Sequence, residues 1–204
     1  MRKAFAAIAI LIVLWLGWSA WPFFGLYELA RAAQSGDVTR IEQRVDFAAL
    51  GRSLSGQIVQ TYARLTGLPI GRGSLVAGLA SAVADPIVAR LVTRVALAEL
   101  LQNGWPKAVL GDPPPNFQRP NWNALGNAWQ LYANSEYGLG EFRIRLPVDA
   151  PRERQFRIQL ALRGVTWKLS GLDLPQELQE RLARELMKQE GKLGAILGKS
   201  LPGT

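Results

Sequence analysis

Residues Ala4 to Phe24 form a run of 21 positions without a charge. As an α-helix rising about 1.5 Å per residue, such a run can cross a hydrocarbon core of roughly 30 Å. It shows no polar face, which argues against the core helix of a soluble protein. Arg2 and Lys3 precede it, and the next basic residue is Arg31. That asymmetry predicts a cytoplasmic N-terminus, with the remainder sent across the membrane. Trp15, Trp18, Trp21, Phe23 and Phe24 gather toward the far end, as in an aromatic belt at the outer interface. The rival is a cleaved signal peptide, which needs small residues one and three before the cut. Cutting after Ala20 puts Trp18 at the third position, which is poor. Cutting after Ser19 puts Gly17 there, which is tolerable but is not the usual Ala. The run is also longer than a typical signal-peptide core, so the expectation is an uncleaved anchor.

Beyond the anchor the apolar period is helical. Tyr27, Leu29, Ala30 and Ala33 extend a short amphipathic helix that leaves the membrane, and Ser35-Gly36-Asp37 stops it. Asp37 is placed to cap a helix over Val38 to Arg44, and Asp46 to cap the next. That next helix carries Phe47, Leu50, Leu54, Ile58, Tyr62 and Leu65 as a stripe and ends at Gly67-Leu68-Pro69. Leu75 to Ala84 is an apolar segment weakened by Gly78. Asp85-Pro86 reads as a cap with proline at the first helical position. One helix is predicted from Ile87 to Gln102, with Leu91, Val95, Ala98 and Leu101 inside, closed by Asn103-Gly104.

Residues 105–121 contain Pro106, Pro113, Pro114, Pro115 and Pro120, a boundary or long surface connection. After it the period changes to two. Phe142, Ile144 and Leu146 alternate with Arg143 and Arg145. Phe156, Ile158, Leu160 and Leu162 alternate with Arg157, Gln159, Ala161 and Arg163. Val165, Trp167 and Leu169 alternate with Thr166, Lys168 and Ser170. Three such segments with short connections predict an antiparallel meander, with Trp129 to Tyr137 as a candidate fourth strand. Pro175 opens a last helix with Leu178, Leu182 and Leu186 on one side. Gly191, Gly194 and Gly198 predict that it frays. The fold class is therefore α+β: an N-terminal transmembrane helix, a helical region, an antiparallel meander of three to four strands and a terminal helix. The expected division is an anchor over 1–25 and a periplasmic domain over 26–204. Within that domain the helical part is 26–104, the proline-rich connection 105–121, and the sheet and helix 122–204.

The chain has no His and no Cys. A Ser-His-Asp triad, zinc-thiolate and iron–sulfur sites, thiol nucleophiles and a lipidated cysteine are thereby excluded. No dinucleotide fingerprint, phosphate loop or Ser-x-x-Lys motif occurs. No catalytic residue, metal ligand or cofactor is assigned. Glu136 and Glu141 flank a glycine-containing turn, where a solvated turn between strands is a better reading than an acid dyad or a loose Ca²⁺ site. Asp37 and Asp46 are better explained as helix caps than as acids.

The basic residues of the strands form the one candidate site. Arg143, Arg145, Arg157, Arg163 and Lys168 share the parity opposite to the apolar residues, so a meander projects them from one sheet face. Such a face can hold a phosphate or carboxylate, or it can be a wet outer face that keeps the sheet soluble. From Leu26 onward 22 basic residues face 16 acidic ones. Arg152 and Arg154 add to the same region.

Several short stretches together carry a resemblance. They are the anchor with its aromatic end, Tyr27-Glu28-Leu29, Ser35-Gly36-Asp37, Val45-Asp46-Phe47, Trp167-Lys168-Leu169 and Leu174-Pro175. The chain resembles an uncharacterised bacterial family, domain of unknown function 2939, of N-terminally anchored envelope proteins. The resemblance implies an anchor followed by helices and then sheet, and it brings no activity. The Trp-Lys-Leu strand is also similar to the last strand of cone-shaped folds related to nuclear transport factor 2, a fold-level analogy.

These readings converge on a single-pass protein of a bacterial inner membrane, held through residues 4–24 with its C-terminal domain in the periplasm. The expected role is a non-catalytic binding or scaffold module. Its expected partner is anionic lipid or another envelope component, and not nucleic acid. The alternative is a small carboxylate-dependent hydrolase or lipid-modifying enzyme of the envelope. A buried carboxylate cluster in a cleft would favour that alternative.

Overall fold

The computed structural model describes residues 2–67, 87–115, 117 and 128–199. Helix α1 runs unbroken from Arg2 to Ser35, with Pro22 inside it. The stretch expected to leave the membrane as a separate helix is thus the second half of α1. The boundary read at residue 25 falls in mid-helix. The two halves differ in surroundings. Phe5, Ile10, Leu14 and Trp18 are exposed, whereas Leu26, Leu29, Ala30, Ala32 and Ala33 are buried in the core.

Gly36 adopts a positive φ of 65° and ends α1. Asp37 caps α2 (Val38–Gln43) by accepting from the Arg40 N–H. Asp46 caps α3 (Phe47–Thr66) by accepting from the Ala49 N–H, and Gly67 closes it in the left-handed conformation. The centre of the predicted α3 stripe is buried, with Leu50, Leu54 and Ile58 fully enclosed, while Phe47 and Tyr62 are partly buried and Leu65 is exposed.

The single helix expected over Ile87 to Gln102 is two pieces. Residues 87–91 are helical, and α4 starts afresh at Arg94 and ends at Asn103. Thr93 makes the break: its backbone is extended and its hydroxyl accepts from the Ala96 N–H. A β-branched hydroxyl residue offers the chain this local cap in place of a continuing ladder. Gly104 then closes α4, as Asn103-Gly104 predicted. The expectations for Leu75–Ala84, Asp85-Pro86 and Pro120 lie outside the described residues.

Short α5 (Lys107–Leu110) follows, beneath which Trp105 is buried and donates its indole N–H to the Gly111 carbonyl at 2.7 Å. The span Trp129–Tyr137 is not one strand: α6 (Ala128–Ala133) precedes β1 (Ser135–Gly138). The meander continues with β2 (Glu141–Leu146), β3 (Phe156–Arg163) and β4 (Thr166–Asp173), in the antiparallel order β1-β2-β3-β4. The final helix α7 runs from Gln176 to Lys199. Its backbone is helical through Gly191, Gly194 and Gly198. Each glycine costs about 1 kcal/mol of helix propensity but keeps its N–H and C=O for the ladder.

One face of the sheet supplies Phe142, Ile144, Leu146, Phe156, Ile158, Leu160, Trp167 and Leu169 to a core shared with α1, α3 and α7. The edge of β4 is covered. Residues 44–46 pair with it through Leu169, whose N–H donates to the Arg44 carbonyl and whose carbonyl accepts from the Asp46 N–H, both at 2.8 Å. Beyond that point the side chain of Gln57 in α3 takes over. Its amide donates to the Leu172 carbonyl at 2.9 Å, and its oxygen accepts from the Leu174 N–H at 3.0 Å.

Candidate functional site

The register places Arg145 directly opposite Arg157, Arg143 opposite Gln159, Lys168 opposite Ala161 and Arg163 opposite Thr166. All five predicted basic residues therefore share the face turned away from the apolar side chains. Four of them carry a carboxylate. Arg143 is paired with Glu141 at 2.5 Å, Arg145 with Glu136 at 2.9 Å, Arg157 with Asp173, and Arg163 with Asp46 at 3.0 Å. Lys168 has no ion pair among the described residues.

Asp173 reaches this face because β4 is irregular. Gln159 pairs with Gly171 but Leu160 pairs with Leu169, so Ser170 is an extra residue, a β-bulge. A regular strand would put Asp173 on the same side as Trp167 and Leu169. The bulge turns Leu172 into the core and Asp173 out toward Arg157. Gly171 suits the crowding there, since a Cβ on it would stand 3.3 Å from the Ser53 hydroxyl oxygen and 3.4 Å from Gln159.

Arg145, Arg157 and Asp173 form one row across β2, β3 and β4, and Glu136, which stands opposite Arg143, reaches Arg145 diagonally. Like charges directly opposite one another repel, and each of the two guanidinium groups is paired with a carboxylate on its outer side. Arg145 and Arg157 line an open cleft of about 430 Å³ together with Arg152, Glu153 and Asp173. Gln57, Gln60, Gln155, Gln176 and Gln179 supply amides to its walls. The loop over the cleft is fixed by Gln155, whose side-chain amide donates to the carbonyls of Pro147 at 3.0 Å and Ala150 at 2.9 Å. The wall toward α3 and α7 is fixed as well. Gln179 donates to the Leu174 carbonyl at 2.6 Å and accepts from the buried Thr61 hydroxyl at 3.0 Å. Arg152 is exposed and has no ion pair among the described residues.

Of the predicted set, then, the cleft joins Arg145 and Arg157. Arg143 lies farther along the face, and Arg163 stands at the other end against α3. The glutamines and Asp173 were not in the predicted set, and Arg152 was read only as adding charge to the region. A glycine inside a strand pattern, Gly171, is the signal that could have indicated the bulge and so Asp173. The glutamines carry no spacing that would mark them.

The remaining acidic residues are in structural roles. Glu136 and Glu141 are each paired with an arginine rather than with each other. The Ala49 N–H, and then the hydrogen bond from Arg163, hold the Asp46 carboxyl below the ordinary carboxylate range. Among the described residues no group of three or more Asp and Glu side chains is placed to hold a metal ion.

The described fold is an α+β domain whose leading helix is long and apolar enough to cross a membrane. Residues 11–100 match the sequence profile of DUF2939, described as a protein of unknown function, which supports the family likeness read from the sequence. The match covers the last two-thirds of the apolar run, the rest of α1, α2, α3 and most of α4. The sheet and its basic face lie beyond it. No curated protein and no solved structure matches the chain.

Proposed function

We propose that this chain is a membrane-anchored, non-catalytic binding module of the bacterial periplasm, and that its ligand carries an oxyanion bound in the cleft between Arg145 and Arg157. The division into an anchor over 1–25 and a domain over 26–204 belongs to this reading, with the anchor's helix carried on into the domain core. The cross-strand pairing of Arg145 with Arg157 is the observation that supports it. Two guanidinium groups set side by side gain more from a shared phosphate or carboxylate than from water alone, because the anion relieves their mutual repulsion. The amides around them can hydrogen-bond the rest of a polar ligand. The cleft's two carboxylates do not form the buried cluster that acid–base chemistry would need. Asp173 is engaged by Arg157, and Glu153 is exposed.

Arg152→Gln gives the cleanest test, since it removes a cleft charge without releasing a paired carboxylate. The full chain in detergent would be titrated calorimetrically with glycerol phosphate and with citrate, at low and physiological salt. Saturable binding that weakens with salt, and weakens again in Arg152→Gln and Arg157→Gln, is the expected result. Absence of saturable binding to either anion at low salt would remove the reading.

A further inference from the structure

On the reading of α1 as a membrane span, its apolar half is taken up by the bilayer before the domain begins. Burial against the domain starts at Pro22. Residues 4–21, at about 1.5 Å each, amount to roughly 27 Å, close to the roughly 30 Å of a hydrocarbon core. No length is left for a linker, so the domain rests on the bilayer surface.

The part of the domain nearest that surface is identifiable. Pro22 has no N–H to give, so the helical ladder is thinned one turn earlier, around Trp18 and Ser19. At that level the Tyr137 hydroxyl donates to the Ser19 carbonyl at 3.1 Å. Tyr137, in β1, also packs edge-on against Phe23 and stacks near Tyr132, with ring centroids 6.2 and 5.9 Å apart. Although so engaged, Tyr137 and Tyr132 remain 44% and 43% exposed, and Leu139, at the turn between β1 and β2, is wholly exposed. An apolar side chain on a turn and two half-exposed tyrosines thus gather around Tyr137, the residue that meets the apolar half of α1. Tyrosine, with an apolar ring and a polar tip, suits the headgroup layer.

We infer that the β1–β2 hairpin, with Tyr132, Tyr137 and Leu139, lies in the interfacial layer of the same bilayer that α1 crosses, as a second membrane contact. This rests on the reading of α1 as a membrane span. The contact fixes the rotation of the domain about α1, because one edge of the sheet is held against the lipid surface.

The chain has no cysteine, so a single introduced thiol can be labelled uniquely. Leu139→Cys, Leu11→Cys and Glu153→Cys, each in the full chain, would carry an environment-sensitive fluorophore. They would be reconstituted in phosphatidylcholine vesicles with and without a nitroxide-bearing lipid. The label at 11 reports the span, and the label at 153 lies on the loop at the other end of β2 and β3. The expected result is loss of most emission to the lipid-borne quencher at 139, as at 11, with little loss at 153. Emission at 139 that responds only to aqueous iodide, as at 153, would overturn the inference while quenching at 11 still upheld the span. Shielding of 139 from both quenchers would also overturn it, since a protein surface would then cover the hairpin. No lipid quenching at 11 would instead remove the span itself, and the inference with it.

Discussion

Gly25 of α1 lies directly against Trp167 of β4: a Cβ built on Gly25 would stand 2.7 Å from the Trp167 Cβ. That separation is too short for two carbon atoms, and neither is the free end of a flexible side chain. The close approach lets α1 pass over the start of β4 and continue into the core as one rod. Gly17, eight residues earlier in α1, has nothing within 4 Å of its own Cβ position.

Gly25→Ala is therefore expected to destabilise the domain although it favours the helix. Forcing a methyl group into a packed contact costs about 1–3 kcal/mol, against a gain of about 1 kcal/mol in helix propensity. Gly17→Ala collects the propensity without the clash and should be neutral or slightly stabilising. Thermal midpoints of the two variants in detergent, measured by near-UV circular dichroism, check the contrast. Equal midpoints would mean that α1 does not seat on β4 at Gly25.

Gln57 acts as a substitute neighbour for the edge of β4, and its replacement tests that role. Gln57→Leu keeps the bulk but leaves the Leu172 carbonyl and the Leu174 N–H without their partner. Each buried group left unpaired costs about 1–3 kcal/mol. The amide of Leu174 should then exchange with solvent deuterium much faster, while amides of β2 and β3 change little. Unchanged protection of Leu174 would show that this edge does not depend on Gln57.

Much of this architecture was legible in the sequence because it is written in local signals. Asp37, Asp46, Gly67 and Gly104 mark helix ends by their own chemistry, and the alternation from Phe142 to Leu169 marks strands by period. What was not legible depends on irregularity or on distance. The extra residue at Ser170 reverses the parity of Leu172 and Asp173, and period counting carries no warning of it except Gly171. Thr93 interrupts a pattern that looks continuous, because Leu91, Val95 and Ala98 keep helical spacing across the break, yet the restart at Arg94 leaves Val95, expected inside, exposed. The cleft draws on α3, the β2–β3 loop, β4 and the first turn of α7. Its glutamines become neighbours only after folding, and Gln57 and Leu174 are far apart along the chain.

Asp46 makes the acid stability of the domain predictable. Its depressed carboxyl means the folded state favours the charged form. That contribution is complete above the ordinary carboxylate value of 3.8 and is lost as pH falls through the lower native value. Asp46→Asn keeps an N-cap but cannot pair with Arg163, a half-exposed contact worth about 0.2–1 kcal/mol. Asp46→Ala loses the cap as well, about 1 kcal/mol more. Denaturant midpoints should rank wild type, Asn, Ala at pH 7. The gap between wild type and Asn should close as pH falls below about 4. A gap that stays constant to pH 3 would mean that the charge on Asp46 contributes nothing.

Where the folded domain of this chain begins can also be decided by experiment. A boundary at residue 25 cuts α1 between Gly25 and Leu26, and removes Phe23, whose ring sits 5.0 Å from Phe142 and 6.2 Å from Tyr137. Losing a half-buried phenylalanine and its edge-on pairs costs on the order of 2–4 kcal/mol. In a domain of this size that corresponds to a midpoint lower by roughly 5–15 °C. Two versions directed to the periplasm, one beginning at Ala20 and one at Leu26, separate the possibilities. The longer one should melt cooperatively at the higher temperature, and the shorter one should melt lower or aggregate. Coincident melting curves would show that Phe23 adds nothing to the folded domain, and that the anchor ends where the apolar run suggests.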